Sequence, residues 1–575
     1  MDKNWKNRLV GCVAGGAWVL SPFFALWGKA FVGLHGPFFL LYVAVALSCF
    51  ALIGNARFFW SRTDLLFGGC CAYAVLSYCF VTPWPLDSAW YVGILGCALW
   101  YALVRQGCEP RVLLYFVIAG GVVQCVVGIM QYYFLFPSLH KGFRVAGCFS
   151  HPSFFGEYLV LSLLAVVYAG YSLTQRLRFR VLLLLVGGLL VWGIVCSDSR
   201  AVWLSLLVGG GFVLGRDFLQ KCLRYKKMGL AAIGCLLAVV LVCLYFYRPV
   251  SADGRLFVWL VSCFLMKTGG LLGHGAGTFP ALYMEAQADY FAAHPDSGWA
   301  AVAGNTTHAF NEFVELAVEQ GILGLCLWGV FLWSVSRAKG GEMLGMFRGM
   351  LAAVLVFSFF TPTREELSLV FCVTILLGIN VRDEKEWRCG MSRMARGIGV
   401  CVLLGVLVPV VREHALRVRV EKLLVVGTGL SDEGQAVLSA AEGHFEGTSA
   451  FMEVRAKDCY YASDYECALG LLLKLKKLKK TPDLYCDMGD CHVHLGQWRK
   501  AEECLTKAVL MIPSRVKPLL LLFYFYRDRD EEEKAKEVAC RILRQEFPVV
   551  NSLVLRARHE ARQYLVESNK KGGGI

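Results

Sequence analysis

The chain has two regions that differ in how apolar and polar positions alternate. From residue 9 to about residue 411, long apolar runs are separated by short polar links, whereas charged residues are frequent from 412 onward. About 20 apolar residues are enough for a helix to cross a bilayer, and about 17 are tolerated. The pattern predicts a membrane domain over 1–411 and a separate helical domain over 412–575.

Twelve or thirteen spans are predicted in the membrane domain. Because a bilayer offers no partners to exposed backbone groups, each span is expected to be helical, which predicts an all-α, polytopic bundle. The predicted spans are 9–27, 37–54, 65–82, 89–104, 112–136, 154–172, 179–196, 201–215, 229–247, 312–335, 346–361, 366–380 and 397–411.

Basic residues concentrate in alternate links, which predicts the orientation of the spans. The rich links contain Lys3, Lys6 and Arg8; Arg57 and Arg62; Arg105 and Arg111; Arg176, Arg178 and Arg180; and the ranges 216–227, 337–348 and 382–396. The opposite links contain Lys29, Lys141, Arg144, Arg200 and Arg364, which violate the bias and so suggest a function. This pattern predicts a cytoplasmic N-terminus. Thirteen spans then place both the link 248–311 and the tail on the outer side.

Composition supports the membrane assignment and excludes other classes. With 57% hydrophobic and 18% charged residues, the chain has too little polar surface for a soluble protein of this size. The net charge of +14 does not indicate nucleic acid, because most Lys and Arg lie in the links. Many of the 24 cysteines lie in apolar runs, where they act as small hydrophobes. The six tail cysteines, from Cys459 to Cys540, show no metal-binding pattern and are expected to be packing residues.

The long link 248–311 contains ordered features. A candidate amphipathic helix covers 254–267, a glycine-rich turn covers 269–277, and an aromatic-containing segment covers 283–299. A connection of this length in a compact domain is usually functional. Its content of Trp, Phe, Tyr and Leu disfavours the alternative of a disordered spacer.

Ionisable residues near the outer ends of the spans are candidates for chemistry. His308, Glu312, Glu315 and Glu319 are spaced to lie along related faces of one helix. Charged groups at membrane depth are costly and tend to line cavities. A histidine at a helix start also serves commonly as a cap or surface residue. Three arginines and one histidine on the outer face suggest an anionic ligand, since guanidinium binds oxyanions in a bidentate way, although lipid headgroups explain them equally well. These residues are Arg144, Arg200, Arg255 and His151.

Five sequence segments stand out: R-V-A-G-C-F-S-H-P-S (144–153), S-D-S-R-A (197–201), R-L-F-V-W (255–259), G-L-L-G-H-G-A-G-T-F (270–279) and H-A-F-N-E-F-V-E-L-A-V-E-Q-G-I-L-G-L (308–325). Taken in order, they resemble the O-antigen ligase/polymerase superfamily over roughly residues 110–380. Each segment is a weak match by itself, and their order and placement on the outer face make the combination fairly specific. Relatives often carry asparagine near His151 or Ser153, so the chain departs from the family there.

The resemblance implies a glycosyltransferase without a metal or other cofactor, in a bacterial inner membrane. Such enzymes take a glycan from undecaprenyl diphosphate at the periplasmic face and transfer it to an acceptor hydroxyl, here of lipid A core. Arg200 and Arg255 match family arginines that bind the diphosphate, and His308 matches an essential loop histidine. We expect Arg144 to join the arginines, His308 to act as general base and Glu312 to orient it. His151 and Glu319 are candidate contacts for the acceptor or the loop.

Other functions stay open at this point. A polymerase that joins repeat units and a protein O-oligosaccharyltransferase use the same chemistry with another acceptor. A transporter or an assembly scaffold belongs to a different class. A transporter predicts paired Gly- or Pro-broken spans with charges at mid-membrane, and the sequence has no matching pair of that kind.

The tail has a periodicity of about 34 residues. It resembles a short tetratricopeptide array of about three repeats, an α-solenoid that usually presents a concave surface to a protein partner. A helical segment over 413–456 is expected to precede it. The residues at repeat positions are Gly489, Gly496, Ala501, Leu505, Ala508 and Pro513, with Ala468 and Ala535 one repeat away on either side and Pro482 and Pro548 closing the neighbouring units.

Overall fold

The structure of the chain is a computed structural model that describes residues 3–23, 35–54, 57–84, 87–140, 142–173, 176–223, 246, 249–341, 343–385, 387–426 and 432–572. Helices dominate this part of the chain, and its one sheet is a two-stranded antiparallel ribbon. The predicted all-α class is confirmed.

The helices of the apolar region follow the predicted runs closely. Up to the long link they are α1 (Lys3–Leu20), α2 (His35–Gly54), α3 (Arg62–Phe80), α4 (Ser88–Gly107), α5 (Pro110–Tyr132), α6 (Pro152–Tyr168), α7 (Leu177–Cys196) and α8 (Arg200–Leu223), with strand β1 (Arg57–Trp60) before α3. After it come α9 (Pro249–Gly269), α10 (Phe279–Ala293), α11 (Glu312–Arg337), α12 (Leu344–Ser358), α13 (Leu367–Val381), strand β2 (Trp387–Gly390) and α14 (Arg393–Val426).

Nine of the described helices are long and apolar enough to cross a membrane, and α8, α12 and α13 have shorter apolar stretches. A multi-pass membrane protein is therefore supported by length and composition. The predicted span 229–247 lies outside the described residues. Helix α9 is one of the nine, so the predicted amphipathic helix is longer than expected and is apolar enough to be a span itself. Helix α1 is not among them.

Helix α6 lies at the centre of the bundle. Its span is 83% buried inside the protein, and it packs against α5, α7, α8 and α12. Small residues make this close packing possible: a Cβ at Gly121 of α5 would lie 2.4 Å from Cβ of Ser162 of α6. This rigid centre positions the N-terminus of α6, where the candidate site begins.

At the opposite end of the bundle, two basic links that were predicted to share one side contact each other. Strands β1 and β2 pair antiparallel, with Arg57 opposite Gly390. Buried Arg105 lies beside them, with Nε 3.1 Å from Oδ1 of Asp64 and Nη1 donating to the carbonyl of Arg382 at 2.9 Å. Links on opposite sides of a membrane cannot pair. This contact therefore supports the prediction that these two links lie on the same side of the membrane.

The tail consists of helices that pack in sequence order. They are α15 (Asp432–Glu442), α16 (Ser449–Tyr461), α17 (Tyr465–Leu478), α18 (Pro482–His494), α19 (Trp498–Met511), α20 (Val516–Arg527), α21 (Glu532–Arg544) and α22 (Ser552–Gly572). The turns after α16, α18 and α20 contain a residue with positive φ: Ser463 at 62°, Gly496 at 68° and Asp530 at 57°. Their spacing of 33 and 34 residues matches the predicted period, so the tail repeats a two-helix unit. Its tetratricopeptide identity stays a prediction.

One sequence-based expectation needs correction in this region, and the predicted domain boundary can be placed within a helix. The boundary placed at residue 411 falls inside α14, which continues from the apolar run into the tail without a break. Cys459 and Cys467 form a disulfide between α16 and α17, so these two are not simply packing residues. The two thiols are eight residues apart, on helices joined by a tight turn that brings them together. No metal or redox motif in the sequence had indicated this pairing.

Candidate functional site

The candidate site lies at the end of the bundle where several helices begin. His151 is the N-cap of α6, Arg200 is the first residue of α8, Glu312 is the first residue of α11, and Glu366 is the N-cap of α13. The N-terminus of a helix has partial positive charge and unpaired backbone N–H groups. Their convergence favours an anionic ligand at this end of the bundle.

Helix α11 is discontinuous at Gly321, where φ is 67°. The glycine-rich turn fills the break: His274 N donates to the carbonyl of Val318 at 3.0 Å, and Gly275 N donates to that of Glu319 at 2.8 Å. Beyond the break, Leu323 N donates to the carbonyl of Leu271 at 3.1 Å. These hydrogen bonds replace those that an unbroken helix would make, because backbone groups in apolar surroundings need a partner within the protein.

The first two turns of α11 carry three carboxylates that meet one guanidinium. Arg364 lies with Nε 2.6 Å from Oε2 of Glu312, Nη2 2.9 Å from Oε1 of Glu315 and Nη1 3.1 Å from Oε2 of Glu319. Glu315 and Glu319 are 6% and 2% exposed, so Arg364 compensates carboxylates that water does not reach. The three glutamates share one face of α11 as predicted, whereas His308 precedes the helix and does not lie on that face.

His308 lies beside this cluster, between two other carboxylates. Its Nδ1 is 3.3 Å from Oε1 of Glu315, and its Nε2 contacts the carboxylate of Glu365. The expectation that Glu312 orients His308 is wrong. Phe310, with φ of 52°, turns the chain so that the imidazole meets the second carboxylate of α11, and Glu312 is instead held by the Arg364 backbone N at 2.7 Å and by its side chain.

The two carboxylates determine the charge of His308. Burial by itself disfavours the imidazolium, but the hydrogen bonds and charges of Glu315 and Glu365 outweigh it and raise the pKa of His308 to about 10. An imidazolium donates from both nitrogens and has no lone pair to accept a proton. In this arrangement His308 is therefore a cation, and a role as general base requires Glu365 to move away from Nε2.

Arg200 and Arg255 lie close enough for their charges to interact. Arg200 Nη2 donates to Oγ of Ser251 at 3.3 Å, and Arg255 lies 5.7 Å from the ring centre of Phe310. Within the described part of the chain, no carboxylate lies at ion-pair distance from Arg255. Two neighbouring guanidinium groups repel each other, which an anion between them would relieve.

His151 joins the arginines as a neutral hydrogen-bonding group. Burial, together with the nearby His140 and Arg255, lowers the pKa of His151 to about 4. Its Nδ1 accepts a hydrogen bond from Ser153 N at 3.1 Å, which places the proton on Nε2. The free Nε2–H can donate to an oxyanion or to a hydroxyl.

Arg144 is on the same loop as His151, in a different environment. Its guanidinium packs on the rings of Tyr132 at 4.4 Å and Phe134 at 4.0 Å, and it is exposed. Phe134 has φ of 59° and is 79% exposed. The structure thus places Arg144 among exposed aromatics rather than against Arg200 or Arg255, and the lipid-headgroup alternative stays open for it.

Sequence reasoning missed the link between α12 and α13 as part of the site. This link supplies Arg364 and Glu365, and Glu366 of the same link accepts from Oγ of Ser150 at 3.0 Å. Three consecutive charged residues between two apolar runs were the available signal. Arg364 had also been marked by its position against the basic-residue bias.

No model of a known protein family matches the chain, and no curated protein matches its sequence. The likeness to O-antigen ligases therefore depends on the five sequence segments described above.

Proposed function

We propose that this protein is an O-antigen ligase-like glycosyltransferase of the bacterial inner membrane, with its site on the periplasmic side. It moves a glycan from undecaprenyl diphosphate to a hydroxyl of lipid A core. The observation that carries the proposal is the proximity of two arginines, Arg200 and Arg255, to a histidine held between carboxylates. Positive charge that can bind a diphosphate and an imidazole that can transfer a proton then lie in one site.

The diphosphate leaving group would be held by Arg200 and Arg255, with the Nε2–H of His151 as a third donor. As the bond from the anomeric carbon to the phosphate oxygen breaks, its electron pair stays on the diphosphate. Preorganised cations are most effective where such charge develops. Arg144 would contact the donor further from Arg200 and Arg255, on the side that faces the lipid.

The acceptor hydroxyl would take the place of the Glu365 carboxylate at Nε2 of His308. Glu365 is 38% exposed and can turn toward water, whereas Glu315 is buried and stays on Nδ1. Without Glu365 the imidazolium loses its Nε2 proton to water more easily. Nε2 then accepts the proton of the hydroxyl as its oxygen attacks the anomeric carbon, and Glu315 stabilises the imidazolium that forms.

A transporter is the second candidate, because α11 is a broken membrane helix with a buried carboxylate at the break. In transporters, unwound backbone groups coordinate the substrate. Here the carbonyls of Val318 and Glu319 are already bonded to the glycine-rich turn, and Glu319 is bonded to Arg364. These contacts favour a structural role for the break.

Transfer by the purified chain tests the proposal directly. Proteoliposomes receive an undecaprenyl diphosphate-linked glycan and rough lipopolysaccharide, and the product is followed by its shift on a gel. We expect transfer by the wild type, a loss of at least about 100-fold in Arg255→Ala and His308→Ala, and no change in Arg499→Ala, whose side chain is 93% exposed in the tail. Full activity of His308→Ala, or glycan uptake without transfer, would contradict the proposal.

A further inference from the structure

A cavity lies between the tail and the long link, outside the site described above. Its volume is about 560 Å³, and residues of α16 to α18 form most of its wall. Asn305 closes it on the side of the link. The lining residues include Lys457, Tyr461, Asp483, Asp487 and Lys517.

Direct contacts hold the tail against the link, which fixes the cavity relative to the site. Nε2 of buried Gln287 donates to the carbonyl of Met511 at 2.6 Å. Backbone N of Lys480 donates to the carbonyl of Pro280 at 3.1 Å. Phe279 and Tyr283 of α10 share one buried apolar cluster with Met511 and Ile512 of the tail. The wall and the link therefore form one packed unit.

One wall of the cavity comes close to His308 along the chain. Asn305 precedes His308 by three residues, a stretch that covers at most about 11 Å even when extended. Oγ1 of Thr306 donates to the carbonyl of His308 at 2.7 Å, so the segment is turned rather than extended. One wall of the cavity therefore lies within about 11 Å of the backbone of His308.

The polar groups of the cavity are nearly balanced in charge. Lys517 Nζ lies 2.8 Å from Oδ1 of Asp483, and Lys479 pairs with Glu453. Within the described residues, Asp487 and Lys457 have no ion-pair partner. The cavity thus offers a free acceptor and a free donor, together with the ring of Tyr461, which is 75% exposed.

We infer that this cavity binds the saccharide of the acceptor and presents its hydroxyl to His308. A hydroxyl both donates and accepts, so neighbouring sugar hydroxyls can satisfy a carboxylate and an ammonium at once. An aromatic ring packs against the apolar face of a sugar. The balance of lysines and carboxylates disfavours a highly charged polymer. The inference rests on the proposed transferase function and assigns the tail a part in it.

The test is the dependence of transfer on acceptor concentration in proteoliposomes, with rough lipopolysaccharide as acceptor and saturating donor. Asp487→Ala and Tyr461→Ala are compared with Arg499→Ala. Loss of a hydrogen bond to a charged group weakens binding about tenfold or more. We expect KM for rough lipopolysaccharide to rise about tenfold in both cavity variants, with KM for the donor unchanged and no effect in Arg499→Ala.

Binding of the free core oligosaccharide to the full chain, followed by saturation-transfer NMR, separates the possible failures. If the wild type transfers and both cavity variants keep its acceptor KM and oligosaccharide binding, the inference is overturned and the transferase stands. If the wild type transfers to no acceptor, the proposed function fails, and equal oligosaccharide binding by wild type and variants overturns the cavity assignment separately. Cavity variants that impair transfer to a polypeptide acceptor but not to rough lipopolysaccharide would also overturn it.

Discussion

At the scale of single residues, the environment of His308 sets what the site can do. Glu315 is buried on one side of the ring and Glu365 is partly exposed on the other, so the two carboxylates differ in their freedom to move. A raised pKa stabilises the folded state in full below the ordinary value of about 6.5, and that contribution is lost as the pH rises toward about 10.

Replacing Glu365 with Gln should lower the pKa of His308, because it removes the charge on Nε2 while Glu315 stays in place. We expect the NMR titration of His308 to move from about 10 toward its ordinary value, and the rise of transfer rate with pH to move the same way. Glu446→Gln, a change of charge in the tail, is the control. An unmoved titration would contradict the assigned contact.

Replacing Arg364 with Ala should destabilise the bundle, because it leaves buried Glu319 without a cation and buried Glu315 with only His308. Removing one partner of a buried ion pair costs about 3–5 kcal/mol, and the lower end applies because Arg364 is 44% exposed. Thermal unfolding in detergent should show a clear fall in Tm for Arg364→Ala. The Tm of Arg364→Lys should lie between those of Arg364→Ala and the wild type, because one ammonium cannot reach all three carboxylates. Arg499→Ala should match the wild type, and a wild-type Tm in Arg364→Ala would contradict the cluster's role.

At the scale of elements, the break in α11 and the glycine-rich turn depend on each other. A Cβ at Gly273 would lie 2.4 Å from the carbonyl oxygen of Glu319, and one at Gly321 would lie 2.2 Å from that of Leu271. Both glycines also have positive φ. The backbone of the glycine-rich turn thus lies so close to the backbone of α11 that neither position has room for a side chain.

Gly273→Ala should therefore unfold at lower temperature than the wild type and lose transfer, because the turn must separate from α11 and displace Glu319. Gly329→Ala is the matched control in the same helix, since a Cβ there meets nothing within 4 Å. Alanine gains up to about 1 kcal/mol over glycine in a helix, so Gly329→Ala should be neutral or slightly more stable. Equal stability of the two variants would refute the close contact.

At the scale of the whole molecule, the tail is attached to the membrane domain at two places. Arg417 of α14 lies 2.5 Å from Asp87 before α4, and α10 of the long link packs on the tail helices. The link and the tail consequently lie on the same side of the bundle, as the sequence predicted. Which side of the membrane this is stays a prediction.

Reversing one charge across the link–tail contact should loosen it, and reversing both should restore it. Lys480 of the tail pairs with Glu285 of α10. Lys480→Glu places like charges opposite each other, and we expect about fivefold faster hydrogen exchange in α10, which corresponds to about 1 kcal/mol. The double variant Glu285→Lys, Lys480→Glu should return to the wild-type rate. Fast exchange in the double variant would show that this pair does not hold the tail.

The sequence by itself determined the apolar helices, the helical repeat of the tail and the common face of Glu312, Glu315 and Glu319. These are local properties, since a bilayer sets the length of an apolar run and the helical period sets which neighbours share a face. Only the tertiary structure decided that Glu315 and Glu365 hold His308, that Arg364 holds Glu312, and that a glycine turn fills the break in α11. The most distant of these partners, His308 and Glu365, are 57 residues apart along the chain, and packing rather than sequence pattern decides which distant side chains meet.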